Sequence, residues 1–253
     1  DGGLLRLHGE CGDASINRIW LHLCAEEGEY VTGGGEQFSA LDMRGRLFPI
    51  WTREQGVGRN KLTEITRLAN ASDGGGGDYH TTFFPQPTFV SSRMYWAHLE
   101  NYEYSELDFR APDFHEIGVW SNRFSLVLCA GERYRELSGS LSALLGRQPV
   151  LPGWAMKGIW LGVQGGTERT LDLLGKCREG GMDVSAVWIQ DWEGRRITSF
   201  GKRLQWDWRW DEKSYPGLDK VIAADENTRW MGYINPYLVE SGVLFKEAQE
   251  KGY

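Results

Sequence analysis

The sequence predicts a β domain followed by an α/β unit. Residues 1–150 are expected to form an N-terminal β-sandwich ending in a short helical linker, and residues 151–253 the first strands of an incomplete (β/α)8 TIM barrel. Three observations predict this. Up to about Leu128 the apolar residues come in short or alternating runs broken by Gly, Pro and Asn clusters. A stretch of helical spacing and the breakers Pro149 and Pro152 then interrupt that pattern. Beyond them strand-like and helix-like segments alternate, the arrangement that builds a parallel sheet.

The β pattern is carried in order by RIWLHLCAE, TTFFPQPTFVSS, RMYWAHLENYEYSELDFR and NRFSLVLCA. The glycine runs at 33–35 and 74–77 read as turns between strands, where glycine supplies positive φ. QGVGRN at 55–60 has two glycines but no Lys-Ser/Thr ending and no amphipathic helix after it, so a phosphate-binding loop is set aside. In ERYRELSGSLSALLGRQP, Tyr134, Leu137, Leu141, Leu144 and Leu145 recur at helical spacing. After the boundary, KGIWLGVQ reads as a buried strand, ERTLDLLGKCREGGM as a helix, DVSAVWIQDW as a second strand and RWMGYINPYLV as a third. Between the second and third lies an insertion over about 193–216, rich in Arg, Lys, Trp and Phe and longer than ordinary βα connections, which marks it as functional. Continued past Tyr253, the alternation would close a (β/α)8 barrel, of which this chain would hold about three strands. The chain starts at Asp1 without Met and ends at Tyr253 in what reads as an unfinished helix, so both natural termini are expected to lie elsewhere.

Composition narrows the function. A 41% hydrophobic and 25% charged chain of 253 residues is globular. The net charge of -7 argues against nucleic acid, because phosphate neutralisation needs a Lys/Arg excess. No apolar run approaches the roughly 18 residues of a membrane span. Cys11, Cys24, Cys129 and Cys177 form no CxxC pair and read as free thiols of a reducing compartment, which favours the cytoplasm. The histidines at 8, 22, 80, 98 and 115 make no HExxH pattern, and no GxSxG elbow occurs, so no metal, no other cofactor and no serine nucleophile are expected. The Asn70-Ala71-Ser72 sequon would matter only in a secreted glycoprotein.

The candidate chemistry gathers at the predicted strand ends. Gln164 closes the first strand of the α/β unit and Gln190 the second, on the face where such folds bind ligands. Two neutral amides there suit sugar hydroxyls, although each could equally cap its strand. Asp191 could accept from hydroxyls or cap the turn into the insertion, and the residues leave that open. Within SFGKRLQWDW, Lys202, Arg203 and Trp206 combine permanent cations with an indole donor, a device for a fixed anion. An exposed cation–π contact fits the same spacing, at about 0.5–1 kcal/mol. Tryptophan supplies 12 of the 253 residues, many outside the strands that would need them as core, and aromatic platforms suit the apolar faces of sugars.

Taken together, GGGEQFSALDMRGRLFPIWTREQGVGRN, FFPQPTFVSS, LSALLGRQPVLPGW, LGVQGGTE, VWIQDWEGRRITSFGKRLQWDW and YINPY resemble the sulfoquinovosidase branch of glycoside hydrolase family 31. The blocks occur in the family's order across nearly the whole chain. The resemblance implies a retaining α-glycosidase that needs no cofactor and acts on a small sulfonated sugar glycoside, such as sulfoquinovosyl glycerol. It implies that Gln164 and Gln190 bind sugar hydroxyls while Arg203 and Trp206 grip the sulfonate. It also implies that the two catalytic aspartates come from later barrel strands, so no catalytic residue is assigned in this chain and the stretch alone is expected to be inactive. Self-association is left open. The alternatives are a family 31 α-glucosidase or α-xylosidase acting on uncharged sugars, and a sugar-binding module without catalysis.

Overall fold

The computed structural model describes residues 3–13, 15–53, 60–73, 76–198 and 201–253. Most of QGVGRN and the first half of the 74–77 glycine run lie outside them. The chain forms two compact units, 1–147 and 148–253.

The first unit holds β1 (Leu4–Glu10), β2 (Ile19–Cys24), β3 (Val31–Gly35), β4 (Leu47–Ile50), α1 (Glu64–Asp73), β5 (Pro85–Ser91), β6 (Tyr95–Leu99), β7 (Ser105–Asp108), β8 (Phe114–Val119), β9 (Arg123–Ala130) and α2 (Tyr134–Leu145). Two antiparallel sheets form, ordered β1-β9-β6-β5-β3 and β2-β8-β7-β4. Their inner faces meet in one core, with Val31, Phe89, Ala97, Leu99 and Leu126 from the first sheet against Phe48, Leu107, Ile117 and Val119 from the second. The period of two in YWAHL explains how β6 serves two layers. Ala97 and Leu99 enter that core, while Trp96 faces the other way into a second cluster with Val127, Cys129 and Leu137. Helix α2 seals this outer face with Leu137, Leu141 and Leu144, and the Trp96 indole donates to Ser140 Oγ at 2.9 Å. Tyr134 and Leu145 carry the same helical spacing but remain exposed, because they fall off the stripe that meets the sheet.

The glycines at 33–35 correct one expectation. They lie inside β3 rather than between strands, and the β3–β5 register shifts between Gly33 and Gly35. All three take positive φ. A Cβ on Gly35 would stand 2.0 Å from the Phe84 carbonyl oxygen, so this bulge needs glycine for space as well as conformation.

The second unit holds α3 (Gly153–Lys157), β10 (Ile159–Val163), α4 (Thr167–Glu179), β11 (Val184–Ile189), β12 (Arg195–Thr198), β13 (Gly201–Leu204), α5 (Leu218–Ala224), β14 (Arg229–Gly232) and α6 (Val243–Glu250). Strands β10, β11 and β14 form a parallel sheet in chain order. On one face Val163, Val187 and Ile189 pack with Leu174 of α4, Leu218 of α5 and the fully buried Tyr215. The opposite face carries the exposed indoles of Trp160 and Trp188. The insertion is not a plain loop: β12 and β13 pair as an antiparallel hairpin inside it. The last helix is also complete rather than unfinished. It stops at Glu250, and the amides of Gly252 and Tyr253 return to the carbonyls of Gln249 and Ala248 in a Schellman closure with Gly252 at φ 78°.

Candidate functional site

Gln164 and Gln190 are each the first residue beyond a strand, after β10 and β11, and the parallel pairing of those strands brings the two side chains together. The Gln164 amide nitrogen donates to Gln190 Oε1. The first residue of β12 completes the group, since Arg195 Nη2 donates to Gln164 Oε1 at 2.9 Å and Arg195 Nε donates to Asp191 Oδ2 at 2.7 Å.

Asp191 is the centre of this arrangement. Its side chain is 4% exposed, and it accepts from Arg195, from the Tyr215 hydroxyl and from the backbone N–H of Gly165 at 3.0 Å. A buried carboxylate is tolerable only when its lone pairs are satisfied, and here a guanidinium, a phenol and an amide meet that need. Asp191 thus resolves as an internal organiser, with its acceptor capacity spent on the protein. Burial, reinforced by the bond to Asp191, pushes the Tyr215 hydroxyl up to about 12, so it stays a donor at any physiological pH.

The hairpin carries the cations. Arg196 and Arg203 are direct cross-strand partners, so their side chains share one face, while Lys202 alternates to the other. Arg203 is exposed. The guanidinium over the Trp206 ring belongs to Arg196, at 5.4 Å, and Tyr237 lies 5.8 Å from the same ring. Arg195 falls on the opposite hairpin face from Arg203. The structure therefore joins Gln164 to Gln190 directly, and places Arg203 and Trp206 on the hairpin and in the turn that follows it.

That turn is held by a second buried carboxylate. Glu193 Oε2 accepts from the backbone N–H groups of Asp207 at 2.5 Å and Trp208 at 2.7 Å, which fixes the chain leading into the positive φ at Trp208. The neighbouring indoles act as staples to main-chain carbonyls: Trp192 donates to Tyr233, Trp208 to Asn235 and Trp210 to Tyr215. Trp206 differs, because its Nε1 is buried and makes no hydrogen bond among the described residues.

Sequence reasoning missed Glu193, Arg195, Arg196 and Tyr215. The EGRR cluster directly after Gln190-Asp191-Trp192 was the available signal for the first three, while Tyr215 carried none. The histidines serve structure, with His22 bonded to Glu116, His98 to Thr88 and His115 to Glu29. No group of His, Cys, Asp and Glu among the described residues could hold a metal ion, and no described helix is long and apolar enough to cross a membrane.

No family model matches the chain. The sulfoquinovosidase of Escherichia coli is 46% identical over 255 residues, and that of Agrobacterium fabrum 47% identical over 255; each alignment takes in 100% of this chain and 38% of the relative. The solved structure of a family 31 sulfoquinovosidase from E. rectale, in complex with the aza-sugar inhibitor IFGSQ, superposes with a TM-score of 0.91 at 44% identity, covering 100% of this chain and 38% of that one. The chain thus spans well under half the length of the proteins it matches. In sequence and fold alike, the chain is similar from end to end to the first part of sulfoquinovosidases, among them one of glycoside hydrolase family 31.

Proposed function

We propose that this protein is a retaining α-glycosidase that hydrolyses α-sulfoquinovosides such as sulfoquinovosyl glycerol, with Gln164 and Gln190 on the sugar hydroxyls and Arg203 with Trp206 on the sulfonate. Its catalytic aspartates would lie outside this stretch. Residues 151–253 are read as the opening of a (β/α)8 barrel. Three parallel strands in chain order, the amide pair just past two strand ends and the uncovered face of Trp160 and Trp188 support that reading. Four cysteines outside any disulfide suit a reducing compartment, and we place the protein in the cytoplasm.

The observation that carries the substrate is the Trp206 indole. Three nearby indoles spend their N–H on backbone carbonyls, whereas the Trp206 N–H is buried without an acceptor among the described residues, and its ring lies under the Arg196 guanidinium, whose cross-strand partner is Arg203. Buried donors without acceptors are costly, so this N–H, with the Arg196 guanidinium over its ring, suits an anionic ligand atom. A sulfonate is ionised throughout the biological pH range and pairs with a guanidinium that never deprotonates. A neutral glucoside offers the Trp206 N–H no charged acceptor, a difference worth about a hundredfold or more in kcat/KM.

The test compares an aryl α-sulfoquinovoside with the matching aryl α-glucoside in the full-length protein. Strong preference for the sulfonated compound is expected, and Arg203→Ala should abolish it. Equal cleavage of both, unchanged by Arg203→Ala, would reassign the protein to uncharged sugars.

A further inference from the structure

The way the amide pair is held sets which of its atoms a ligand can meet. An amide's oxygen and nitrogen are interchangeable in shape, so an isolated Gln pair could present either carbonyl or NH2. Arg195 removes that freedom, because a guanidinium donates only. Its Nη2 lies 2.9 Å from Gln164 Oε1, so the Gln164 oxygen must face it. The Gln164 NH2 is then turned to Gln190, and Gln190 must accept through Oε1. Among the described residues, each Oε1 already accepts one bond and keeps a single lone pair, while one N–H of Gln164 and both of Gln190 remain, so the pair offers a ligand more donors than acceptors. Asp191 in turn holds Arg195 through Nε at 2.7 Å, and the Tyr215 hydroxyl and Gly165 N–H hold Asp191.

We infer that Arg195, anchored by Asp191, is a positioning residue that fixes the hydrogen-bond polarity of the Gln164–Gln190 pair, so that the pair meets a ligand with N–H donors and selects ligand oxygens that accept. Arg195 acts through Gln164, on the opposite hairpin face from the Arg196 and Arg203 guanidiniums. The inference rests on the reading of the pair as a sugar site, but not on the sulfonate, since hydroxyl or ring oxygens of any glycoside could accept from it. Its particular consequence is that Arg195 and Gln190, two side chains without a direct bond to each other, are coupled through Gln164.

The experiment is a double-mutant cycle in the full-length protein, using Arg195→Met, Gln190→Ala and the double variant, with KM and kcat measured on both aryl α-glycosides and a thermal midpoint for each variant. Arg195→Met should raise KM by about tenfold with a smaller change in kcat, the size expected for a charge-assisted hydrogen bond acting through one intermediary. Arg195→Lys, still a donor-only cation, should recover most of that loss. Combined with Gln190→Ala, Arg195→Met should add little further loss. Independent, multiplying losses in KM would overturn the inference, as would a lowered midpoint with KM unchanged. Coupling without preference for the sulfonated glycoside would leave the inference standing and remove the sulfonate assignment. Preference without coupling would do the reverse, and failure to cleave either glycoside would overturn both.

Discussion

At the scale of single residues, the second unit separates tryptophans that hold the chain from two, Trp206 and Trp230, whose indole N–H is buried without a partner among the described residues. Trp192, Trp208 and Trp210 each donate to a carbonyl, and Trp206 has the same chemistry without the partner. Trp206→Phe is therefore expected to cost little folding stability, under about 1 kcal/mol, because no internal hydrogen bond is lost. Affinity for a sulfonated sugar should fall by about tenfold, read by calorimetric titration. Trp208→Phe should give the converse, a clear loss in chemical denaturation with a lesser effect on binding. The four site candidates were legible from sequence as residue types, but not their neighbours. A cation over Trp206 is Arg196, a residue that the spacing had not singled out.

At the scale of elements, helix α2 shows how a locally readable pattern acquires its energetic weight. Its leucine stripe was plain in the sequence, but the stripe matters because it covers the outer face of a five-stranded sheet whose inner face is already in a core. Leu137 is almost fully buried against Trp96, Val127 and Cys129. Leu137→Ala is expected to cost about 2–5 kcal/mol, since a cavity opens against a rigid sheet. The fall in denaturation midpoint measures it, and Tyr134→Ala on the exposed side should leave the midpoint nearly unchanged. The hairpin β12–β13 was not legible, because its strands are four residues each and lack the alternation that identifies longer ones. Pairing across the sheet, rather than local preference, makes them strands.

At the scale of the whole molecule, the first unit encloses a polar knot that ties its stability to pH. Glu29 accepts from Ser91 and from His115 at 3.0 Å, and Arg44 lies 3.2 Å from the other ring nitrogen, His115 Nδ1. Burial alone would raise the Glu29 carboxyl, but hydrogen bonds from Ser91 and His115 hold it below its ordinary 4.5. Burial pushes His115 below its ordinary 6.5, against the opposing pull of Glu29. His115 is thus neutral in the fold, and its contribution is whole above about pH 6.5 and declines as the unfolded chain takes up a proton below it. Glu29 contributes above about pH 4.5, and that part is lost as pH falls further. Unfolding free energy from denaturant titrations should therefore drop below pH 6.5 and more steeply below 4.5, and His115→Gln should lessen the first of these declines, which His80 and His98, also held below 6.5 by burial, share. A rise in stability toward acid would contradict the arrangement.

Reading the chain alone was enough to find the change from a β pattern to alternating strands and helices, and to set Gln164 and Gln190 at the ends of two successive strands. Those features follow from periodicity and chain breakers, which act over a few residues. It also carried the resemblance that the comparisons then extended over the full chain. Tertiary structure alone decided that Asp191 faces inward, that Arg195 orients Gln164 from 31 positions away, and that Tyr215 closes on Asp191 from 24. It likewise decided which indoles found acceptors and that three glycines form a bulge instead of a turn. Such outcomes depend on which groups meet through space, and a hydrogen-bond partner or a steric limit distant in the chain leaves no mark on local pattern.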